Sequence, residues 1–249
     1  MSASRDTAKV TAFVTGGAGG MGQAICRAMV ASGRKVVVVD RNGQAARDFA
    51  RELGPLAHAL ALDITDPAAV DGCLSSLPED FATIDILVNN AGHDIGGRKR
   101  FDIGSADDWT AIIETNLIGL MRVTRAILPG MVERNRGDVV NMSSISALRY
   151  VPDMAPYSAS KAGVHMLSDV IRGELAETAI RVVEIMPGLT RTGIVKARYR
   201  GDEEETRRYF EQFRMALDPE DVARCIMFAV DQPPHVQMAQ MVVLPVNRW

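Results

Sequence analysis

Residues 10–29 limit the fold more than any other stretch. The β-forming run VTAFVT passes without a break into Gly16-Gly17-Ala18-Gly19-Gly20-Met21-Gly22, and a helical pattern follows at once as far as Met29. Strand, glycine turn and helix in that order begin a β-α-β unit, and the remaining chain repeats the alternation. Strands are expected at residues 10–15, 35–40, 57–63, 84–89, 138–143, 181–186 and 241–244. Several are continuous apolar runs, such as VVVV before Asp40, as strands covered on both faces must be. Asp66-Pro67 and Asp218-Pro219 each set a capping carboxylate before a proline at the first helical position, so helices start there. No repeat, linker or change of composition divides the 249 residues. The expectation is an α/β fold in one domain, residues 1–249, with a parallel sheet between two layers of helices.

A glycine turn at the end of a strand lets the backbone approach a pyrophosphate closely. The helix behind it offers free N–H donors and the positive end of its dipole. The second strand ends at Asp40, where a carboxylate can accept both hydroxyls of an adenosine ribose and repels a 2′-phosphate. The cofactor expected is therefore NAD, and no basic residue stands in the glycine turn. Arg41 keeps NADP open as the alternative, because a guanidinium can bind phosphate as well as stack on adenine.

The spacing TGxxxGxG over Gly16, Gly20 and Gly22, Asn89-Asn90-Ala91-Gly92 after the fourth strand, and Tyr157-Ser-Ala-Ser-Lys161 together resemble the short-chain dehydrogenase/reductase family. The resemblance runs from about Val10 to Pro245. It implies a doubly wound, Rossmann-like order of seven parallel strands, and a homodimer or homotetramer built from the helices that carry Asn116 and Tyr157. It also implies a catalytic set of Asn116, Ser144, Tyr157 and Lys161, with Ser144 selected over Ser143 and Ser146 by the family's thirteen-residue count back from the tyrosine. Cofactor contacts are implied at Gly16, Gly19, Gly20, Met21 and Gly22, at Asp40 and Arg41, and at Asp63 and Ile64. Further contacts follow at Asn90, Ala91 and Gly92, at Tyr157 and Lys161, and at Pro187, Gly188, Thr190 and Thr192.

The chemistry suits these residue types. Hydride transfer to a carbonyl builds negative charge on oxygen, so a proton donor must stand there, and the reverse reaction needs a base at the same point. A phenol can serve both directions if its pKa, ~10 when free, is lowered by a cation. Lys161, four residues after Tyr157 on a helix, is expected to be that cation. Ser144 at the end of the fifth strand is expected to hydrogen-bond the reacting oxygen.

The C-terminal third resembles the serine and 3-hydroxy acid dehydrogenase branch. An acidic substrate would need an arginine able to form two parallel hydrogen bonds. Arg149 and Arg191 are the candidates, and Arg98, Lys99 and Arg100 form a further basic cluster read as surface. The tract 193–214, dense in both signs of charge, reads as a solvated helical face that can also cover the substrate. The substrate expected is a small polar secondary alcohol or carbonyl. A non-catalytic NAD-sensing protein and an NADP-dependent carbonyl reductase of the same family are the competing readings.

Charge and residue usage exclude other classes. A net charge of −3 gives no basic footprint for nucleic acid. Cys26, Cys73 and Cys225 are scattered and without metal spacing, and His58, His93, His165 and His235 form no ligand pair, so no metal is expected. No leader or membrane span is read in the chain, and the expected location is cytoplasmic.

Overall fold

The computed structural model describes residues 7–246, so residues 1–6 and 247–249 of the expected domain lie outside the described residues. The seven strands are β1 Thr11–Thr15, β2 Lys35–Asp40, β3 Ala57–Ala61, β4 Ile86–Asn89, β5 Gly137–Met142, β6 Ile180–Pro187 and β7 Gln240–Val243. They pair in parallel throughout, in the order β3-β2-β1-β4-β5-β6-β7. This is the doubly wound, Rossmann-like sheet, with its order reversing between β1 and β4. The helices are α1 Gly20–Ala31, α2 Gly43–Leu53, α3 Pro67–Gly72, α4 Glu79–Ala82, α5 Ala106–Ile113, α6 Leu120–Glu133, α7 Ala155–Glu174, α8 Gly193–Arg198, α9 Glu203–Glu211 and α10 Pro219–Val230.

The unbroken valines of β2 follow from two cores, one on each face. Val36 and Val38 join Ala12, Val14, Ile25, Met29 and Ile226 under α1, α2 and α10. Val37 and Val39 join Phe13, Val123, Ile127, Met131 and Val182 on the opposite face. Alternate residues of one strand therefore serve different layers, and no polar residue can stand at either parity.

Strand ends differ from expectation by up to two residues where the sheet edge or a side chain intervenes. β3 stops at Ala61 on an edge with partial exposure. β4 begins at Ile86 because Asp85 is engaged differently, its side chain accepting from Thr11 N at 3.1 Å. Asp66 caps α3 through Ala69 N at 3.1 Å, and Asp218 N donates to Asp221 Oδ2 at 2.8 Å at the start of α10.

The excursion that carries α8 and α9 is closed at its base. Arg191 N donates to Leu217 O at 2.8 Å, and Leu217 N donates to Leu189 O at 2.9 Å. Arg200 and Gly201, at φ +52° and +91°, turn the chain between the two helices. No helix among the described residues is long and apolar enough to cross a membrane.

Candidate active site

The glycine turn is built by close backbone approach. Gly16 takes φ +62°, and Gly19 N donates to Gly16 O at 3.1 Å. A Cβ on Gly22 would stand 2.1 Å from Gly16 O, so no larger residue fits there. Asp40, at the end of β2, is held facing this turn: Oδ2 accepts from Ala18 N at 3.2 Å and Oδ1 from Asn42 N at 3.0 Å. Thr15 Oγ1 accepts from both Asn90 N and Ala91 N at 3.0 Å, which fastens the loop after β4 to the end of β1. Asp63 accepts from the Thr65 hydroxyl and N–H, and these bonds hold its carboxyl below the usual carboxylate range.

These groups open on one cavity of about 580 Å³. Every residue named above as a cofactor contact lines it, and so do Ser144 and Arg149. The lining suits a dinucleotide: a turn with no room for a side chain at Gly16 or Gly22, a helix N-terminus behind it and a carboxylate held at the end of β2.

At the other end of the cavity, Ser144 and Tyr157 meet across the end of β5 and the first turn of α7. Ser144 Oγ accepts from Ser146 N at 3.1 Å and lies against the Tyr157 hydroxyl. Ser143 differs, donating from Oγ to Lys161 O at 3.0 Å, a bond that ties β5 to α7. Lys161 Nζ donates to Met142 O at 2.8 Å and stands 5.8 Å from the Tyr157 ring centroid. Asn116 does not line the cavity. It sits fully buried in a π-helical turn, Glu114–Gly119, between α5 and α6. Its side chain accepts from His93 N at 2.9 Å and donates to His93 O at 2.9 Å and to Ser160 Oγ at 3.1 Å. Thus it clamps the loop after β4 to α7.

The expected lowering of the tyrosine pKa by Lys161 is not what the site shows. Burial pushes the Tyr157 phenol up to about 12, helped by the charge of Asp94 and opposed by the Ser144 hydroxyl and Arg198. Burial likewise pushes Lys161 down to about 8, with Asp94 opposing. Desolvation outweighs charge pairing for both groups.

Arg198 and Tyr209, within the tract read as a possible cover, line the cavity, and neither they nor Asp94 behind them were singled out from the sequence. Asp94 and Arg198 are buried and joined, Arg198 Nε donating to Asp94 Oδ2 at 2.7 Å across the cavity wall. Tyr209, the one buried residue of the charged helix α9, lines the cavity with Phe213. An aromatic at that position in a charged tract was the available signal. Outward, Arg207 and Arg208 pair with Glu204, so the tract is both a solvated face and a wall of the cavity. Arg98 lines the cavity too, while Lys99 and Arg100 are exposed. Arg149 is exposed at the cavity's edge. Arg191 lies outside it, 61% exposed and 3.6 Å from Asp218. No group of three or more His, Cys, Asp or Glu placed to hold a metal occurs among the described residues.

Residues 10–203 match the family described as short chain dehydrogenase. An NADP-dependent 3-hydroxy acid dehydrogenase of Escherichia coli (strain K12) is 36% identical over 237 residues, 95% of this chain and 95% of that protein. A serine 3-dehydrogenase of Agrobacterium fabrum is 33% identical over 238 residues, 96% of this chain and 94% of its own. The closed form of serine dehydrogenase complexed with NADP+ superposes with a TM-score of 0.93 at 35% identity, covering 96% of each chain.

Proposed function

Because the chain belongs to the short-chain dehydrogenase family, and is thus an oxidoreductase using a nicotinamide cofactor, we propose that it moves hydride between NAD and a small polar secondary alcohol or its carbonyl. A 3-hydroxy acid is the leading substrate. The observation that carries this reading is the facing pair of Ser144 and Tyr157 hydroxyls in the same cavity as the glycine turn and Asp40.

The nicotinamide, when bound, supplies or accepts the hydride. Ser144 hydrogen-bonds the reacting oxygen and favours the charge that develops on it. Tyr157 gives that oxygen a proton in the reducing direction, and its raised pKa keeps the phenol protonated across neutral pH. In alcohol oxidation the phenol must give up its proton, and Lys161 is the cation that the chain offers to favour the phenolate. Asn116 keeps the loop after β4 and the catalytic helix in register.

The preference for NAD over NADP is supported by Asp40, a carboxylate held at the end of β2 facing the glycine turn, whose charge would repel a 2′-phosphate bound beside it. The relatives named as NADP-dependent make this the sharpest departure to test. Three unpaired thiols support work in a reducing compartment, the cytoplasm. Exposed Met166 and Val170, one turn apart on α7, support a homodimer or homotetramer through that helix.

Initial rates with NAD and with NADP, for the wild type, Asp40→Ala and Tyr157→Phe, test the reading together. The wild type should prefer NAD at least tenfold in kcat/KM, and Asp40→Ala should narrow that gap. Tyr157→Phe should lose roughly 10²-fold or more in turnover, the scale of a general acid, while NAD affinity is kept. A wild-type preference for NADP, or a Phe variant that retains most activity, overturns the corresponding assignment.

A further inference from the structure

The substrate end of the cavity holds a charge imbalance. Arg198, at the end of α8, and Arg98, in the loop between β4 and α5, both lie over the ring of Tyr209, with guanidinium carbons 4.8 and 5.3 Å from its centroid. Asp94 is the carboxylate among them. Arg198 Nε donates to it at 2.7 Å, and the charge of Arg98 also reaches it. Arg98 has no ion pair of its own among the described residues; its hydrogen bond goes from Nη2 to Met154 Sδ at 3.4 Å. Arg98 Nε and Arg198 Nη1 are both buried without a hydrogen-bond partner, and Arg198 as a whole is 5% exposed. Two guanidinium groups thus share one carboxylate in an enclosed place, with donor N–H groups to spare. Buried charge without a counterion and buried donors without acceptors are both costly, and proteins retain them where a ligand completes the set.

The missing group is an anion, and its position is defined. Arg98, Arg198 and Tyr209 line the same cavity as Tyr157. Met154, which Arg98 touches, packs in one apolar cluster with Tyr157. Through Met154 the unpaired cation borders the apolar cluster that holds the reacting phenol, which puts it at the substrate end of the cavity. We propose that Arg98 and Arg198, steadied by Tyr209 and Asp94, form the receptor for a carboxylate of a short substrate, and so determine specificity for acids. This rests on the dehydrogenase reading above for the reaction itself. A planar fork can hold both oxygens of a carboxylate, which a lysine cannot match. The exposed Arg149 and the outlying Arg191 have neither the enclosure nor a buried donor left without a partner.

The test compares racemic 3-hydroxybutyrate with its neutral amide, 3-hydroxybutyramide, by kcat/KM with NAD present. The wild type should favour the acid at least tenfold. Arg98→Ala should bring the ratio close to one, and Arg198→Lys, which keeps a charge beside buried Asp94, should lower it part of the way. Equal use of acid and amide by the wild type, or a ratio untouched by Arg98→Ala, overturns the proposal. If the wild type oxidises neither compound nor any neutral secondary alcohol with NAD or with NADP, the proposed reaction is what fails. Calorimetric titration of the same two compounds into wild type and Arg98→Ala then decides: binding of the acid alone, lost in the variant, sustains the receptor, and equal or absent binding removes it.

Discussion

Lys161 is 5% exposed, and burial lowers its pKa to about 8 from the ordinary lysine value of 10.5. The folded chain therefore holds fewer protons than the unfolded chain between those two values. Below pH 8 both states are protonated and the fold bears the whole cost of burying the ammonium; the cost fades as pH rises from 8 toward 10.5. Lys161→Met should remove activity and stabilise the fold at pH 7, by roughly 3 kcal/mol at 1.36 kcal/mol for each pKa step, seen as a higher melting temperature. The gain should shrink when melting is measured at pH 9 and above. A variant no more stable than wild type at pH 7 would show that the Lys161 bond to Met142 O outweighs desolvation. That Tyr157, Lys161 and the glycines gather at one cavity was legible because each motif is a spacing within one short segment. Asp94 and Arg198 were not, since they lie 104 positions apart in sequence and meet only in the folded chain.

The strand, turn and helix at residues 11–31 show what an element needs from its residues. Gly22→Ala places a methyl group 2.1 Å from Gly16 O, against the backbone of Gly16 and Gly17. Overpacking of this kind costs about 1–3 kcal/mol, and α1 must shift away from the turn to relieve it. The expected result is a lower melting temperature together with weaker NAD binding by fluorescence titration. Loss of stability with NAD affinity intact would detach the turn from the cofactor. Helix starts at Asp66 and Asp218 were legible because a cap and a proline act locally. The ends of β3 and β4 were not, because edge exposure and the Asp85 side chain decide them from outside the strand. Nor was the division of the charged tract, where Arg200 and Gly201 reverse the chain between α8 and α9. The π-helical turn that buries Asn116 likewise leaves no mark in the apolar periodicity.

At the scale of the molecule, the strand order sets two open edges, β3 and β7, and leaves α7 with an apolar outer strip. Met166 is 59% exposed and Val170 48%, an arrangement that a second copy of the chain would cover. Sedimentation should find a dimer or tetramer, and Met166→Glu with Val170→Glu should shift it toward the monomer. A wild type that sediments as a monomer at micromolar concentration ends that proposal. The hydrogen-bonded base at Leu189, Arg191 and Leu217 has a different kind of consequence. Its pinched ends deliver the chain back to the sheet at the point where it left, whatever lies between. Closing a longer excursion costs little, about 0.6 kcal/mol for each doubling of length. The wall that carries Arg198 and Tyr209 is in that sense an exchangeable module: a lineage could trade one substrate for another by rewriting residues 193–216, while the cofactor turn, the phenol and all seven strands stayed as they are.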